Sequence, residues 1–203
     1  MSGRSYDIAK RCLDLFVASL GLLILSPLLA VVAISIKLET PGPVFYRGVR
    51  TGLNGRQFRV WKFRSMVVDS DAAASSTAKN DPRVTRVGAW TRRWKIDEVP
   101  ELINVLKGEM SLVGPRPEVP KYTALYRGDE ELILTVLPGI TDYSSLRFIH
   151  LADDLGEGDP DELFERRVLP IKNKLRLQYV KERGFWLDLT LIVRTLTRLC
   201  FGR

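Results

Sequence analysis

The side chains best suited to chemistry in this chain are carboxylates and guanidinium groups in three short segments. The first is Thr91-Arg92-Arg93-Trp94-Lys95-Ile96-Asp97-Glu98-Val99-Pro100. Pro100 suits the first turn of a helix, so Asp97 and Glu98 are expected just before that helix begins. Unpaired N–H groups and the positive end of the helix dipole favour anions there. A carboxylate so placed is expected to stay ionised, with Arg92, Arg93 and Lys95 holding it so and attracting phosphate. An ionised Asp97 beside such a site can bind Mg²⁺ or attack phosphorus. The same pattern also serves as a plain helix cap, which is its commoner use.

The second segment is Ser111-Leu112-Val113-Gly114-Pro115-Arg116-Pro117-Glu118. Two prolines fix the backbone on either side of Arg116, which suits a two-pronged contact to phosphate. A rigid turn carrying an exposed arginine is the alternative. The third is Trp61-Lys62-Phe63-Arg64-Ser65-Met66, in which Lys62 and Arg64 fall on one strand face with period two. They line an anionic site or solvate an edge strand.

Composition narrows what such segments serve. The 203 residues support about one domain with a real core, and 45% apolar against 27% charged residues excludes global disorder. Lys and Arg number 31 against 24 Asp and Glu, a net +7 that favours an anionic partner: nucleic acid, acidic membrane or phosphorylated substrate. Cys12 and Cys200 lie near opposite ends and His150 is the sole histidine, which excludes a Cys/His zinc site and a disulfide scaffold.

The elements that must position these residues begin with an uncharged run from Leu15 to Ile36, about the length that crosses a bilayer. Ser26-Pro27 sits near its middle, where the proline should kink or break a helix. Both flanks are basic: Arg4, Lys10 and Arg11 before, Lys37, Arg47 and Arg50 after. They give no preferred direction for a crossing. A re-entrant helix that turns at Ser26-Pro27 satisfies both flanks, with the Ser26 hydroxyl as a local partner for the carbonyl freed near Leu23. A kinked ordinary span is the equal alternative.

Val44–Tyr46 and Gln57–Phe63 predict two short strands around a turn at Thr51–Arg56. Ser70–Asp81 predicts a polar loop or weak helix, and Trp90–Lys95 a short basic helix. Leu102, Ile103, Val105 and Leu106 predict an apolar helix face ending at Gly108. Leu163–Val180 reads as helical with an interruption near Pro170. Phe185–Phe201 is amphipathic, suited to a membrane interface or to packing on the core.

These segments occur in one order with Pro41-Gly42-Pro43-Val44-Phe45, Asp81-Pro82-Arg83-Val84-Thr85 and Asn104-Val105-Leu106-Lys107-Gly108. That order resembles the bacterial sugar transferases of the monotopic phosphoglycosyl transferase family, densely over residues 5–140 and more loosely to Phe185-Trp186-Leu187-Asp188-Leu189. The resemblance implies transfer of a sugar 1-phosphate from a UDP-sugar to polyprenyl (undecaprenyl) phosphate, with release of UMP, as the step that begins a glycan. It implies Asp97 as a nucleophile forming a covalent phosphosugar, with Mg²⁺ nearby, and Glu98 as its dyad partner. It implies that Arg92 and Arg116 hold phosphate or nucleotide, and Lys62 and Arg64, on their shared strand face, are further candidates for that contact. It makes Ser26-Pro27 the break of a re-entrant helix and the chain a small form of the family.

The expected fold is α+β and mainly helical: a monotopic membrane protein with a re-entrant helix and basic flank in residues 1–38. Residues 39–203 are then a cytoplasmic catalytic domain with a small β-hairpin and amphipathic interfacial helices. The expected location is the cytoplasmic face of the bacterial inner membrane. The expected partners are UDP-sugar, polyprenyl phosphate and the lipid bilayer, with room for a homodimer and no nucleic acid. After Pro138-Gly139-Ile140-Thr141 the chain departs from the commoner family pattern with Asp142-Tyr143-Ser144-Ser145-Leu146-Arg147-Phe148, so sugar preference does not carry over. The rival reading is a non-catalytic basic membrane anchor for anionic lipid or nucleic acid.

Overall fold

The longest element follows directly from the uncharged run. In the computed structural model, which describes residues 3–68, 81–148 and 160–201, helix α1 spans Gly3–Glu39 without interruption. It is long and apolar enough to cross a bilayer by length and composition, and only 11% of its most apolar window is buried. Pro27 does not break it, contrary to the sequence expectation. The helix tolerates the missing N–H because Ser26 Oγ donates to Leu23 O at 2.8 Å, supplying a partner for the carbonyl that Pro27 leaves unpaired.

Both halves of α1 pack on the rest of the chain. In the first half Ala18 is fully buried against Val60, Val105 and Met110. Three polar ties hold the same half: Lys10 to Asp188 at 2.6 Å, Arg11 Nη1 to Val105 O at 2.8 Å, and Leu112 N to Asp14 Oδ1 at 2.9 Å. In the second half Val32 and Ile36 form a cluster with Phe63.

The expected strand pair is a hairpin in two sections. β1 (Phe45–Tyr46) pairs antiparallel with β4 (Lys62–Phe63), and β2 (Val49–Thr51) with β3 (Gln57–Arg59) around a turn at Leu53–Gly55. Helix α2 runs Arg86–Arg93, starting earlier than the expected basic helix because the Thr85 side chain caps Gly88 N at 2.9 Å. Helix α3 spans Glu101–Leu106. A parallel pair, β5 (Ser111–Val113) with β6 (Gly139–Thr141), was not foreseen. Any side chain at Gly139 would collide with the backbone of Gly114, so glycine lets the chain turn from β5 into Pro115 against β6.

Short helices α4 (Pro120–Thr123) and α5 (Tyr143–Arg147) follow these strands. Next come α6 (Pro160–Leu163), a π-turn at Phe164–Val168 and α7 (Leu169–Glu182). The π-turn is the expected interruption near Pro170. α8 (Phe185–Phe201) buries Leu191 and Asp188 while leaving Trp186, Val193, Leu196 and Phe201 exposed, so it packs on the core and keeps an apolar outer face. His150 and residues 70–80 lie outside the described residues.

Candidate active site

The three segments singled out in the sequence converge because three local structures aim them. α2 ends at Arg93, and Lys95 takes a left-handed conformation (φ 56°) that turns the chain sharply. A single 3₁₀ turn, Ile96–Glu98, then carries Asp97 and Glu98 up to Pro100 and the start of α3. Two carboxylates therefore precede the helix as expected, but on a turn of their own. Glu101 opens α3 as a third carboxylate beside them.

Lys62, on β4, and Arg116, on the loop after β5, reach the same oxygen. Glu98 Oε1 accepts from Lys62 Nζ at 2.9 Å and from Arg116 Nη2. The same two cations contact Glu101 Oε1 at 3.1 and 3.4 Å. Arg116 is aimed from behind: its Nη1 donates to Ile140 O at 2.8 Å and its backbone N to Asp142 Oδ2 at 3.3 Å. Asp142 is itself fully buried, accepting from Ser144 Oγ and from the N–H and hydroxyl of Ser145. The prolines flanking Arg116 are thus part of a built cradle.

Asp97 stands apart from these bonds. It is buried, and its Oδ1 has no hydrogen-bond partner among the described residues. Burial and then the neighbouring Glu98 charge push its carboxyl above the ordinary Asp range, with Lys62, Lys95 and Arg92 pulling the other way. This corrects the expectation that helix start and basic neighbours alone would hold it ionised: desolvation outweighs them. Glu98 behaves oppositely. Burial would raise it too, but Arg116, Lys62 and Lys95 overcome that and hold its carboxyl well below the usual carboxylate range. Burial pushes the Arg92 guanidinium down, opposed by Asp97, Asp81 and Glu98. Its Nε donates to Ser65 Oγ at 2.8 Å, which fixes it on the Asp97 side.

Lys62, Arg92, Asp97, Glu98 and Arg116 thus form one centre. Arg64 does not join it. The strand ends at Phe63, so the alternation that would place residue 64 beside Lys62 stops. Its guanidinium instead bonds Pro41 O at 2.7 Å, Thr40 O and Thr40 Oγ1, binding the end of α1. Ser26 and Pro27 lie within α1 itself.

Sequence reasoning missed Glu101, which is 1% exposed, and Asp142. The spacing of Asp97 and Glu101, four residues apart, was the available signal for the first. Glu101 Oε2, like Asp97 Oδ1, is buried without a partner. Such bare carboxylate oxygens are the hard donors that Mg²⁺ takes. No group of three or more His, Cys, Asp or Glu converges as a metal cage among the described residues. The donor set therefore fits an ion held by one or two carboxylates with substrate phosphate oxygens completing its shell.

Residues 5–202 match the family model of the bacterial sugar transferases. The chain is 44% identical, over 97% of its length, to the undecaprenyl-phosphate glucose phosphotransferase of Komagataeibacter xylinus, and covers 36% of that protein. It is 40% identical over 93% of its length to the UDP-glucose:undecaprenyl-phosphate glucose-1-phosphate transferase of Escherichia coli, covering 39% of it. It is 36% identical over 97% of its length to the UDP-N-acetylgalactosamine-undecaprenyl-phosphate N-acetylgalactosaminephosphotransferase of Aeromonas hydrophila, covering 45% of it. The chain thus spans less than half the length of these relatives.

Proposed function

The chain belongs to the bacterial sugar transferase family, and we propose that it moves a sugar 1-phosphate from a UDP-sugar to polyprenyl phosphate, releasing UMP. One observation carries the mechanism: Asp97 is buried with a free carboxylate oxygen, while Glu98 beside it is tied to Lys62 and Arg116. Asp97 is the group left available to attack.

In the first step an Asp97 oxygen forms a bond to the sugar-bearing phosphorus of the donor. The bond from that phosphorus to the bridging oxygen breaks, and UMP leaves with its electron pair. In the second step an oxygen of polyprenyl phosphate attacks the same phosphorus, and Asp97 departs as carboxylate. The product is a polyprenyl-diphosphate sugar, which begins a glycan. Splitting the reaction lets the soluble and the lipid substrate use one site in turn. Arg92 lies on the Asp97 side of the site to hold phosphate oxygens, and Lys62 and Arg116 set the positive field in which two anionic substrates meet. Mg²⁺, held by Asp97 with Glu101 adjacent, would screen the diphosphate charge and stabilise the departing UMP.

The membrane arrangement follows the same reading. Both halves of α1 pack on one domain, which supports a re-entrant helix on the cytoplasmic face of the inner membrane over a span. The test is Mg²⁺-dependent UMP release from a panel of UDP-sugars with polyprenyl phosphate present. Release with one or more sugars supports transfer; none with any sugar leaves a non-catalytic membrane anchor.

A further inference from the structure

A groove of about 620 Å³ runs between the second half of α1 and helix α2, walled by Leu28, Val31 and Val32 on one side and by Val87 and Trp90 on the other. We propose that it holds the hydrocarbon chain of the polyprenyl phosphate acceptor and directs its phosphate toward Asp97, an inference that rests on the transfer reaction above.

The groove is a built feature. Glu39, at the end of α1, accepts from Arg86 N at 2.7 Å and from Val87 N at 3.0 Å, so the first turn of α2 is pinned across α1. Its polar lining other than exposed Arg86 is already engaged: the Ser35 hydroxyl is turned back onto Val31 O at 2.9 Å, and the Glu39 carboxylate accepts from the α2 backbone. Its outer edge is continuous with the exposed apolar surface of α1, where Val31 is 61% and Leu23 72% exposed. A chain entering from surrounding lipid meets the apolar side chains of Leu23 and Val31 along that edge. Its inner edge leads to the chemistry. Val32 packs with Ile36 and Phe63, and Ile96, the residue before Asp97, packs on that cluster.

Charge picks the occupant. α2 carries Arg86 at its start and Arg92 and Arg93 at its end. From Val87 to Arg92 the helix advances about 7.5 Å. Hydrocarbon in the groove therefore brings an attached phosphate within one or two helical turns of Arg92. The volume lies within the usual range for small-ligand sites, so it takes the phosphate-proximal isoprene units while the remaining chain stays in lipid.

The test uses the full chain in nanodiscs. Val31→Trp fills the groove from its exposed wall without entering the core. With full-length polyprenyl phosphate, KM for the acceptor should rise about ten-fold, the equivalent of losing two buried methylene contacts. With methyl phosphate as acceptor, which carries no chain to place in the groove, and in labelling of the protein by UDP-sugar alone, the variant should match the parent. An unchanged KM for the long acceptor, or equal loss with both acceptors, overturns the proposal. A diazirine-bearing polyprenyl phosphate supplies a measurement independent of turnover. Crosslinks to residues 28–35 and 86–90, competed by polyprenyl phosphate and not by phosphatidylglycerol, support the groove even if no sugar is transferred. That combination would locate the failure in the transfer reaction. Crosslinks elsewhere, or equal competition by phosphatidylglycerol, assign the groove to bulk lipid and overturn the proposal.

Discussion

Asp97 and Glu98 are consecutive residues on one 3₁₀ turn, yet their surroundings drive their carboxyls in opposite directions. Glu98 meets two cations and is a fixed anion; Asp97 is desolvated, unpartnered at Oδ1 and further raised by the Glu98 charge. The consequence is a division of labour between adjacent identical functional groups. The anchored one organises Lys62 and Arg116, and on the proposed mechanism the raised one is the reactive member.

That division makes a signed pH prediction. On the proposed mechanism attack requires ionised Asp97, whose proton is lost only at a pH above the ordinary Asp range. Turnover should therefore fall as pH drops through that raised value. Glu98→Gln removes a negative neighbour and should move the acid limb of kcat/KM to lower pH, even as it lowers the maximum. Lys62→Met removes a positive neighbour and should move the limb to higher pH. A limb that stays in place in both variants belongs to another group.

Arg116 should not tolerate lysine. Its two terminal nitrogens serve different partners, Nη2 on Glu98 and Glu101 and Nη1 on Ile140 O, which a single ammonium cannot reproduce. Arg116→Lys should lose about 10²–10³ in kcat, as for removal of a positioned transition-state donor, with the protein still folded by circular dichroism. Near-normal turnover would reduce Arg116 to a turn residue.

Stability should hinge on a buried pair outside the bonds around Asp97 and Glu98. Arg176 on α7 is fully buried, bonding Glu118 Oε2 at 2.9 Å and Asn173 Oδ1 at 3.1 Å. Arg176→Met leaves the Glu118 carboxylate without its cation and should cost about 3–5 kcal/mol in urea unfolding. Adding Glu118→Gln should recover part of that loss, because the second change removes the stranded charge. A single variant as stable as the parent would show that water reaches the pair.

How far the sequence carried the site depends on distance along the chain. The local placement of Asp97, Glu98 and Arg116 was legible because a proline opening a helix and prolines around an arginine act over a few residues. Local rules alone left them cap and turn residues, and only the family resemblance implied roles for them. Arg64 misled because its strand stops one residue sooner than period two assumes. The β5–β6 pairing joins Ser111 to Gly139, and the Glu118–Arg176 pair joins residues 58 apart. No local pattern encodes either, since each forms only when the tertiary fold brings distant segments together. Pro27 was the opposite case: the local rule expected a break, and the equally local Ser26 hydroxyl removed the need for one.

The placement of α1 gives a topology prediction. A straight helix of its 37 residues is about 55 Å long, yet Lys10, Arg11 and Asp14 near one end and Val32, Ile36 and Glu39 near the other all engage the same domain. With Cys12 and Cys200 changed to serine, cysteines introduced at Ser2 and at Asn54 should both be protected from an impermeant reagent in sealed cells. Labelling at Ser2 alone would mean a true span. Pro27→Leu restores a backbone donor to Leu23 O and relieves the clash of the proline ring with the preceding turn, so it should raise the fraction labelled at Ser2.

The last prediction concerns the bond that the mechanism makes. Asp97 Oδ1 is buried without a partner, so exchanging the carboxylate for an amide removes the nucleophile while breaking no hydrogen bond of that oxygen. Asp97→Asn should therefore fold with an unchanged or higher Tm, since it also relieves a desolvated charge beside Glu98. Turnover should fall by on the order of 10³ or more, the scale of losing a covalent nucleophile. The parent enzyme incubated with labelled UDP-sugar and Mg²⁺, without lipid acceptor, should release UMP once per active site and carry a phosphosugar on Asp97 by mass spectrometry. Glu98→Gln should still form that adduct, more slowly, because the attacking oxygen remains. An active enzyme that never shows an adduct, and that releases UMP only with both substrates present, would make the transfer direct and leave Asp97 as a Mg²⁺ ligand.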